Sequence, residues 1–316
     1  MQTASGASVE PRPDADLWLL AYWQLREDNP GGLPVRMPLQ FVSAAEYGLE
    51  RTAEVFARGY ADYFVKLALT PAALLNMVRV DGVDLAASRI ALRDGVAVGA
   101  AAIARRGWGC RLAGMAMVPE ARRTGVGHAL LDLTSAEAAT RGEREMNLEV
   151  IQDNLPAVAL YENAGFRRVR ALCGCEGPAA QEAAPDESLR QVDLRTVAAA
   201  IAQHGLSDLP WQVSAETIAQ LTPPSLGYRL GAAWLALTPA PAGDTVTVRG
   251  FVVEKSARHQ GAMRALIRAA MARHPVTWRF SAVFPEEIIG VFEAAGLARG
   301  AMRQWQMSRG LVQKET

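Results

Sequence analysis

Apolar and polar positions along the chain fall into two kinds of segment, separated by Gly, Pro, Asn and Asp: short apolar runs, and longer stretches with apolar residues at helical spacing. The first run, Leu39 to Val42, predicts a strand, and Ala45 to Tyr60 a helix. Thr70-Pro71 offers an N-cap hydroxyl and a first-turn proline for a second helix. Ser88 to Leu92 and Val96 to Ile103 flank Asp94-Gly95, a dipeptide suited to the positive φ values of a tight turn, and so predict a hairpin, although its Gly and Ala residues are poor strand formers. Strands follow at Leu112 to Val118, Met146 to Ile151 and Phe166 to Leu172, with helices from Gly125 to about Thr140 and from Pro156 to Ala164 between them. Further on, strands are expected at Leu189 to Leu194, Tyr228 to Leu237, Thr245 to Val253 and Val276 to Val283. The helices among them are Thr196 to Gln203, Ser214 to Leu221, Gln260 to Arg273 and Glu287 to Ala295. This alternation predicts an α/β fold (α+β in some schemes) with mixed sheets covered by helices.

The pattern repeats. Gly125 to Gly165 spans 40 positions and Gly261 to Gly296 spans 35, and Tyr161-Glu162-Asn163-Ala164-Gly165-Phe166 is paralleled by Phe292-Glu293-Ala294-Ala295-Gly296-Leu297. Two separated motifs recurring in the same order, with the second spacing five positions shorter, argue for duplication. Gly177 to Glu187 lacks a coherent apolar face and reads as a linker. The expected organisation is an N-terminal extension over 1–37, with a disordered start and a short aromatic helix at Leu17 to Trp23; a first domain over 38–176; a linker over 177–188; and a second domain over 189–316. Leu17 to Trp23 falls well short of the ~20 apolar residues that span a bilayer.

Charge narrows the field: Lys plus Arg and Asp plus Glu both number 33, so no global field steers the chain toward nucleic acid or an anionic membrane. Cys110, Cys173 and Cys175 form neither a complete disulfide framework nor, with four histidines, a zinc framework. No metal is expected, and a reducing cytoplasm is the simplest location.

The chemistry concentrates in Arg122-Arg123-Thr124-Gly125-Val126-Gly127, placed where a strand hands over to a helix. Backbone N–H groups there, with the positive end of the helix dipole, suit a diphosphate without a metal. An ordinary glycine-containing turn before a surface helix is the competing reading. The loop lacks the Gly-Lys-Ser/Thr ending of a nucleotide-triphosphate loop and the acidic ribose contact of a dinucleotide fold.

Leu112 to Val118, Arg122 to Gly127, Leu148-Glu149-Val150, Asn154 and Tyr161 to Phe166 together resemble the Gcn5-related N-acetyltransferase (GNAT) superfamily. The chain looks like two fused acyl-CoA N-acyltransferase-like domains, each with a mixed, mainly antiparallel central sheet flanked by helices. The resemblance implies acetyl-CoA as cosubstrate, its pantetheine between two splayed strands and its diphosphate on the loop. By it, Met117 and Val118 supply main-chain contacts to the thioester arm. Arg122, Arg123, Thr124, Gly125, Val126, Gly127 and His128 surround the diphosphate, and Asn154 contacts the arm.

Acetyl transfer needs a neutral amine, a carbonyl in reach and a proton donor for the departing thiolate. Tyr161 stands at the family's tyrosine position and is the candidate acid; packing of its ring in the core is the alternative. Glu149 is the candidate base acting through water, with Glu120 a weaker one. Tyr60, Tyr63, Phe64, Trp108 and Arg111 are candidate acceptor-pocket residues, and Asp62 or Asp84 could attract an ammonium group. The expected acceptor is a small-molecule amine more than a protein amino group, and both monomer and homodimer fit the sequence. The competing function is a nonenzymatic acyl-CoA sensor or assembly module. In the second domain Met263 stands for Gly127, Pro285 for Asn154 and Phe292 for Tyr161, which predicts a chiefly structural partner.

Overall fold

The computed structural model describes residues 38–66, 68–179 and 185–311. The aromatic helix expected at Leu17 to Trp23 and part of the linker lie outside the described residues. The first half contains β1 (Gln40–Ser43), β2 (Val83–Arg93), β3 (Val96–Arg106), β4 (Gly109–Met117), β5 (Glu145–Ile151) and β6 (Arg167–Pro178). Its helices are α1 (Ala44–Tyr47), α2 (Leu49–Gly59), α3 (Pro71–Asn76), α4 (Val126–Arg141) and α5 (Leu155–Asn163). The second half contains α6 (Leu194–His204), α7 (Ala215–Ala219), α8 (Ala262–Arg273) and α9 (Gly290–Glu293). Its strands are β7 (Arg190–Val192), β8 (Leu226–Leu230), β9 (Ala233–Pro239), β10 (Thr245–Val253), β11 (Thr277–Phe280), β12 (Phe284–Pro285) and β13 (Ala298–Gly310).

Local chemistry sets these boundaries. Ser43 and Glu46 close a capping box at α1, and the Thr70 hydroxyl accepts from Ala73 N–H with Pro71 in the first turn of α3. Gly142, at φ 94°, ends α4. The Glu143 N–H then reaches back to Ala138 O at 3.0 Å, as a left-handed C-cap requires.

All strands join one mixed sheet in the order β1-β2-β3-β4-β5-β13-β6-β11-β10-β9-β8-β7, with β12 on β6. The halves exchange their last strands. β13 lies between β5 and β6, pairing Trp305 with Val150 on one side and with Ala171 on the other. β6 in turn pairs with β11, and runs on through Gly177 and Pro178, two positions into the segment read as linker.

Helices cover both faces. In the first half α4 seals a core containing Leu130, Leu131, Met146 and Leu148, and α2 seals a second one with Phe56, Ile90, Ala100 and Ala102. Each fully buried Leu or Ile contributes about 1.5–3 kcal/mol. The small residues that weaken β3 as a strand let helices approach: a Cβ on Gly99 would lie 3.1 Å from the Leu130 and Val126 side chains. The second half repeats the scheme with Leu266, Ile267 and Trp278 on one face and Val197, Ile201 and Ile218 on the other.

Several expectations change. Tyr228 to Leu237 is a hairpin, turned at Gly231 with φ 56°. The expected strand at Val276 to Val283 stops at Phe280. β13 has no counterpart in the pattern reading. It is sandwiched within the sheet yet carries Gln304 and Gln306 there, so it lacks a continuous apolar run. Among the described residues no helix is long and apolar enough to cross a membrane.

Candidate active site

The loop between β4 and α4 begins with a 3-10 turn at Pro119–Ala121. The chain then adopts positive φ at Arg123 (59°) and at Gly125 (87°), which serves as the N-cap. The first main-chain bond into the helix is Ala129 N–H to Gly125 O, and no side chain caps the start. Among the described residues the N–H groups of Gly125, Val126, Gly127 and His128 therefore have no protein acceptor, and they lie at the positive end of a 16-residue helix. Gly127 is fixed by packing: a Cβ there would meet Met117 Cε at 3.2 Å and Leu160 Cδ2 at 3.4 Å.

Two expected ligand contacts are corrected. Arg122 does not face the loop's interior. Its guanidinium holds Asp62 in two bonds of 2.7 and 2.6 Å and donates to Gly59 O at 3.0 Å, while its own N–H goes to Pro119 O. The Arg122 guanidinium keeps the Asp62 carboxyl down at about 2, so Asp62 anchors the loop. Val118 is also committed, its N–H to Val98 O and its C=O to Ala121 N–H. Thr124 donates its hydroxyl to Ala121 O. Arg123 and His128 are exposed, and Arg123 has no ion-pair partner among the described residues.

β4 and β5 pair in parallel only at Gly109↔Glu145, Cys110↔Met146 and Arg111↔Asn147. A register shift between Leu112 and Gly114 bends β4 away, and the strands diverge toward the loop. At this split the Tyr60 hydroxyl accepts from Met115 N–H at 3.1 Å and donates to Met115 O at 3.0 Å. Tyr63 packs edge-on against Tyr60, at 4.8 Å between ring centroids, and lies near Asn154. Asn154 also caps α5 by accepting from Ala157 N–H.

Tyr161 joins this cluster from α5. Burial pushes its phenol well above the ordinary value, and the neighbouring Tyr60 and Tyr63 push the same way, so Tyr161 holds its proton at neutral pH. Its hydroxyl has no hydrogen-bond partner among the described residues. The structure thus brings Tyr60, Tyr63, Asn154 and Tyr161 together, a convergence that sequence spacing does not reveal.

Glu149 is further back in the split, almost wholly buried. Its Oε2 accepts from Arg111 Nε at 2.7 Å and from Gln212 Nε2 at 3.1 Å, and the Gln212 turn comes from the second half. Arg111 is consequently half of a buried ion pair rather than a free carboxylate anchor. Asp84 is likewise engaged, by Arg105 and by the Ala86 and Ala87 N–H groups. Trp108 stands at the far end of β4 in the β3–β4 turn, 60% exposed under the Arg144 guanidinium, and takes no part in the site. Burial pushes the Cys110 thiol up to about 12 and the Cys175 thiol to about 11, which makes both poor nucleophiles.

Residues 62–166 match the Acetyltransferase (GNAT) family. No curated protein matches significantly in sequence. Among solved structures, a GCN5-related N-acetyltransferase from Sphaerobacter thermophilus aligns over 86% of this chain and 96% of its own, with TM-score 0.63 and 14% identity. A tandem GNAT protein from the clavulanic acid biosynthesis pathway aligns over 88% and 100%, with TM-score 0.59 and 17% identity. A GCN5-related N-acetyltransferase from Kribbella flavida aligns over 89% and 73%, with TM-score 0.59 and 18% identity. The fold is therefore that of tandem acyl-CoA N-acyltransferase-like domains. Residues 62–166 are thus a GNAT-family acetyltransferase domain, of a family whose cosubstrate is acetyl-CoA.

Proposed function

We propose that the first unit is the catalytic one and transfers acetyl from acetyl-CoA by direct attack of a neutral amine. The observation that carries this reading is the alignment of unpaired Gly125–His128 N–H groups with a strand split that has Tyr161 beside it. The diphosphate sits on those N–H groups, joined by the exposed Arg123 side chain. The pantetheine arm enters the split along the Met117 main chain, near Asn154. The amine nitrogen bonds to the thioester carbon, the carbon–sulfur bond breaks, and Tyr161 gives its proton to the departing thiolate. The amine's surplus proton leaves through water toward Glu149 Oε1, the oxygen that Arg111 and Gln212 leave free.

A small-molecule amine suits this site better than a protein amino group, because the Trp211–Gln212 turn lies over the Arg111–Glu149 pair and narrows that face. The sensor reading has one observation in its favour, the hold of Tyr60 on both Met115 main-chain groups, which closes part of the edge the arm would use. An amine panel assayed with acetyl-CoA for free CoA and for acetylated product separates the two. In that assay Tyr161→Phe retains CoA affinity and lowers turnover by about 10²-fold; undiminished turnover would remove Tyr161 from the acid role.

A further inference from the structure

Eight buried side-chain polar atoms have no hydrogen-bond partner among the described residues, and four of them belong to Gln212, Gln306, Arg170 and Arg249. These four residues gather around Glu149, although they come from a turn and three strands far apart in sequence. Gln212 donates from Nε2 to Glu149 Oε2 at 3.1 Å. Gln306 stands beside Glu149 in the β5–β13 register, and Arg170 beside Gln306 in the β13–β6 register. Arg249 is the bulged residue of β10, skipped between Val248 and Gly250 in the pairing with β9. Asp81 ties it to the group, since the Asp81 carboxyl feels the charges of Arg111, Arg249, Arg106 and Glu149 at once.

The orphaned atoms are of two kinds. Gln212 Oε1 and Gln306 Oε1 are acceptors, and neither amide can be turned over, because each Nε2 already donates, to the Glu149 carboxylate and to Asp208 O. Arg170 Nε and Arg249 Nε are donors. The four guanidiniums of the region differ in how far they are engaged. Arg111 is closed by Glu149, and Arg170 holds Asp208 and Glu287 with its other nitrogens. Arg106 lies over the Trp211 ring and donates to Ser214, Thr217 and Val80 O. Arg249 alone has neither an ion pair nor a hydrogen bond among the described residues.

A guanidinium taken out of water without a counter-charge is costly. Glu149 offsets Arg111, and the exposed Glu216 offsets Arg106 from the surface. Arg249 is left with Asp81, which is a weak counter-charge because burial pushes its own carboxyl up. The region is therefore short of negative charge at Arg249 and short of an N–H donor at Gln212, next to the Glu149 carboxylate. Ordered water can satisfy an amide oxygen but supplies no charge. A small molecule with both a carboxylate and an amine supplies both.

We propose that the acceptor is an amine carrying a carboxylate, its nitrogen donating to Gln212 Oε1 beside Glu149 and its carboxylate held by the Arg249 guanidinium. The second half then sets the specificity of chemistry performed in the first, and the proposal rests on the reading of the β4–β5 split as the acetyl-transfer site. The test is steady-state acetylation, by the full chain, of common α- and ω-amino acids, each beside its carboxamide. Wild type is expected to favour the acid of at least one pair by about 10- to 100-fold in kcat/KM, as one hydrogen-bonded contact to a charged group allows. Arg249→Gln is expected to bring that ratio close to one, mainly through KM, and Arg249→Lys to recover part of it. A folding defect lowers both members of a pair alike and leaves their ratio intact. A wild type that does not favour acids, or an acid preference that survives Arg249→Gln, overturns the proposal and leaves acetyl transfer in the first unit standing. If no amine at all is acetylated, that reading fails, and calorimetric titration with the same pairs decides the site. Acids that bind wild type but not Arg249→Gln uphold it, and the absence of acid-selective binding overturns it.

Discussion

The Gly125 and Gly261 loops have nearly the same backbone and differ almost entirely in what surrounds them. Both present unpaired N–H groups at a helix start beside a split pair of strands. Around the first stand three tyrosines and an asparagine, around the second phenylalanines, valines and a glycine. The backbone of such a loop thus tolerates wide sequence change, whereas a side-chain hydroxyl is removed by one substitution. The loss of chemical groups in a duplicated unit is no guide to the loss of its loop geometry.

The largest test of whether the two units are separable is truncation after Leu297. It removes β13 from between β5 and β6, and should abolish the cooperative unfolding transition of both halves in thermal scans. A first unit that still melts cooperatively would show that the exchange is dispensable. Next in size is the buried pair Arg111–Glu149, which the second unit lacks, with Thr247 in the position of Arg111. Arg111→Met strands a buried carboxylate and should cost about 3–5 kcal/mol in urea unfolding. Adding Glu149→Met should recover most of that, and failure to recover would mean the charge pairing is not what the site requires.

The swap between loops can be imitated. Gly127→Met should destabilise by about 1–3 kcal/mol through overpacking against Met117 and Leu160. Adding Met117→Val should restore much of it; an equally unstable double variant would break the volume argument. The smallest effect is on pH. Burial, helped by the Arg273 charge, holds His274 below its ordinary 6.5. Its contribution is present above 6.5 and lost as pH falls below it, since the unfolded chain binds the proton more readily. His274→Gln should flatten the stability profile between pH 7 and 5, and an unchanged slope would assign that slope to other groups.

Much of this was legible from sequence where one physical rule acted locally. The Thr70 cap, the Asp94-Gly95 turn and the strand-loop-helix around Gly125 depend on neighbouring residues alone, and the structure has them. What long-range pairing decides was not legible. β13 carries Gln304 and Gln306, whose amides donate to Ala282 O and Asp208 O in loops remote in sequence, Arg122 turns away from the loop because Asp62 is there, and Tyr60 meets Met115 across 55 positions. Gly127 and Met263 looked like an intact and a damaged loop because the compensating Met117 and Val253 lie on a different element.

The placement of β13 bears on the order in which the molecule can be made. During synthesis β5 and β6 emerge more than a hundred residues ahead of the strand that belongs between them. The nascent first unit must therefore keep that gap open, or pair β5 with β6 provisionally and release them later. Either way the sheet around the β4–β5 split reaches its final shape only after β13 has emerged, more than a hundred residues behind β6.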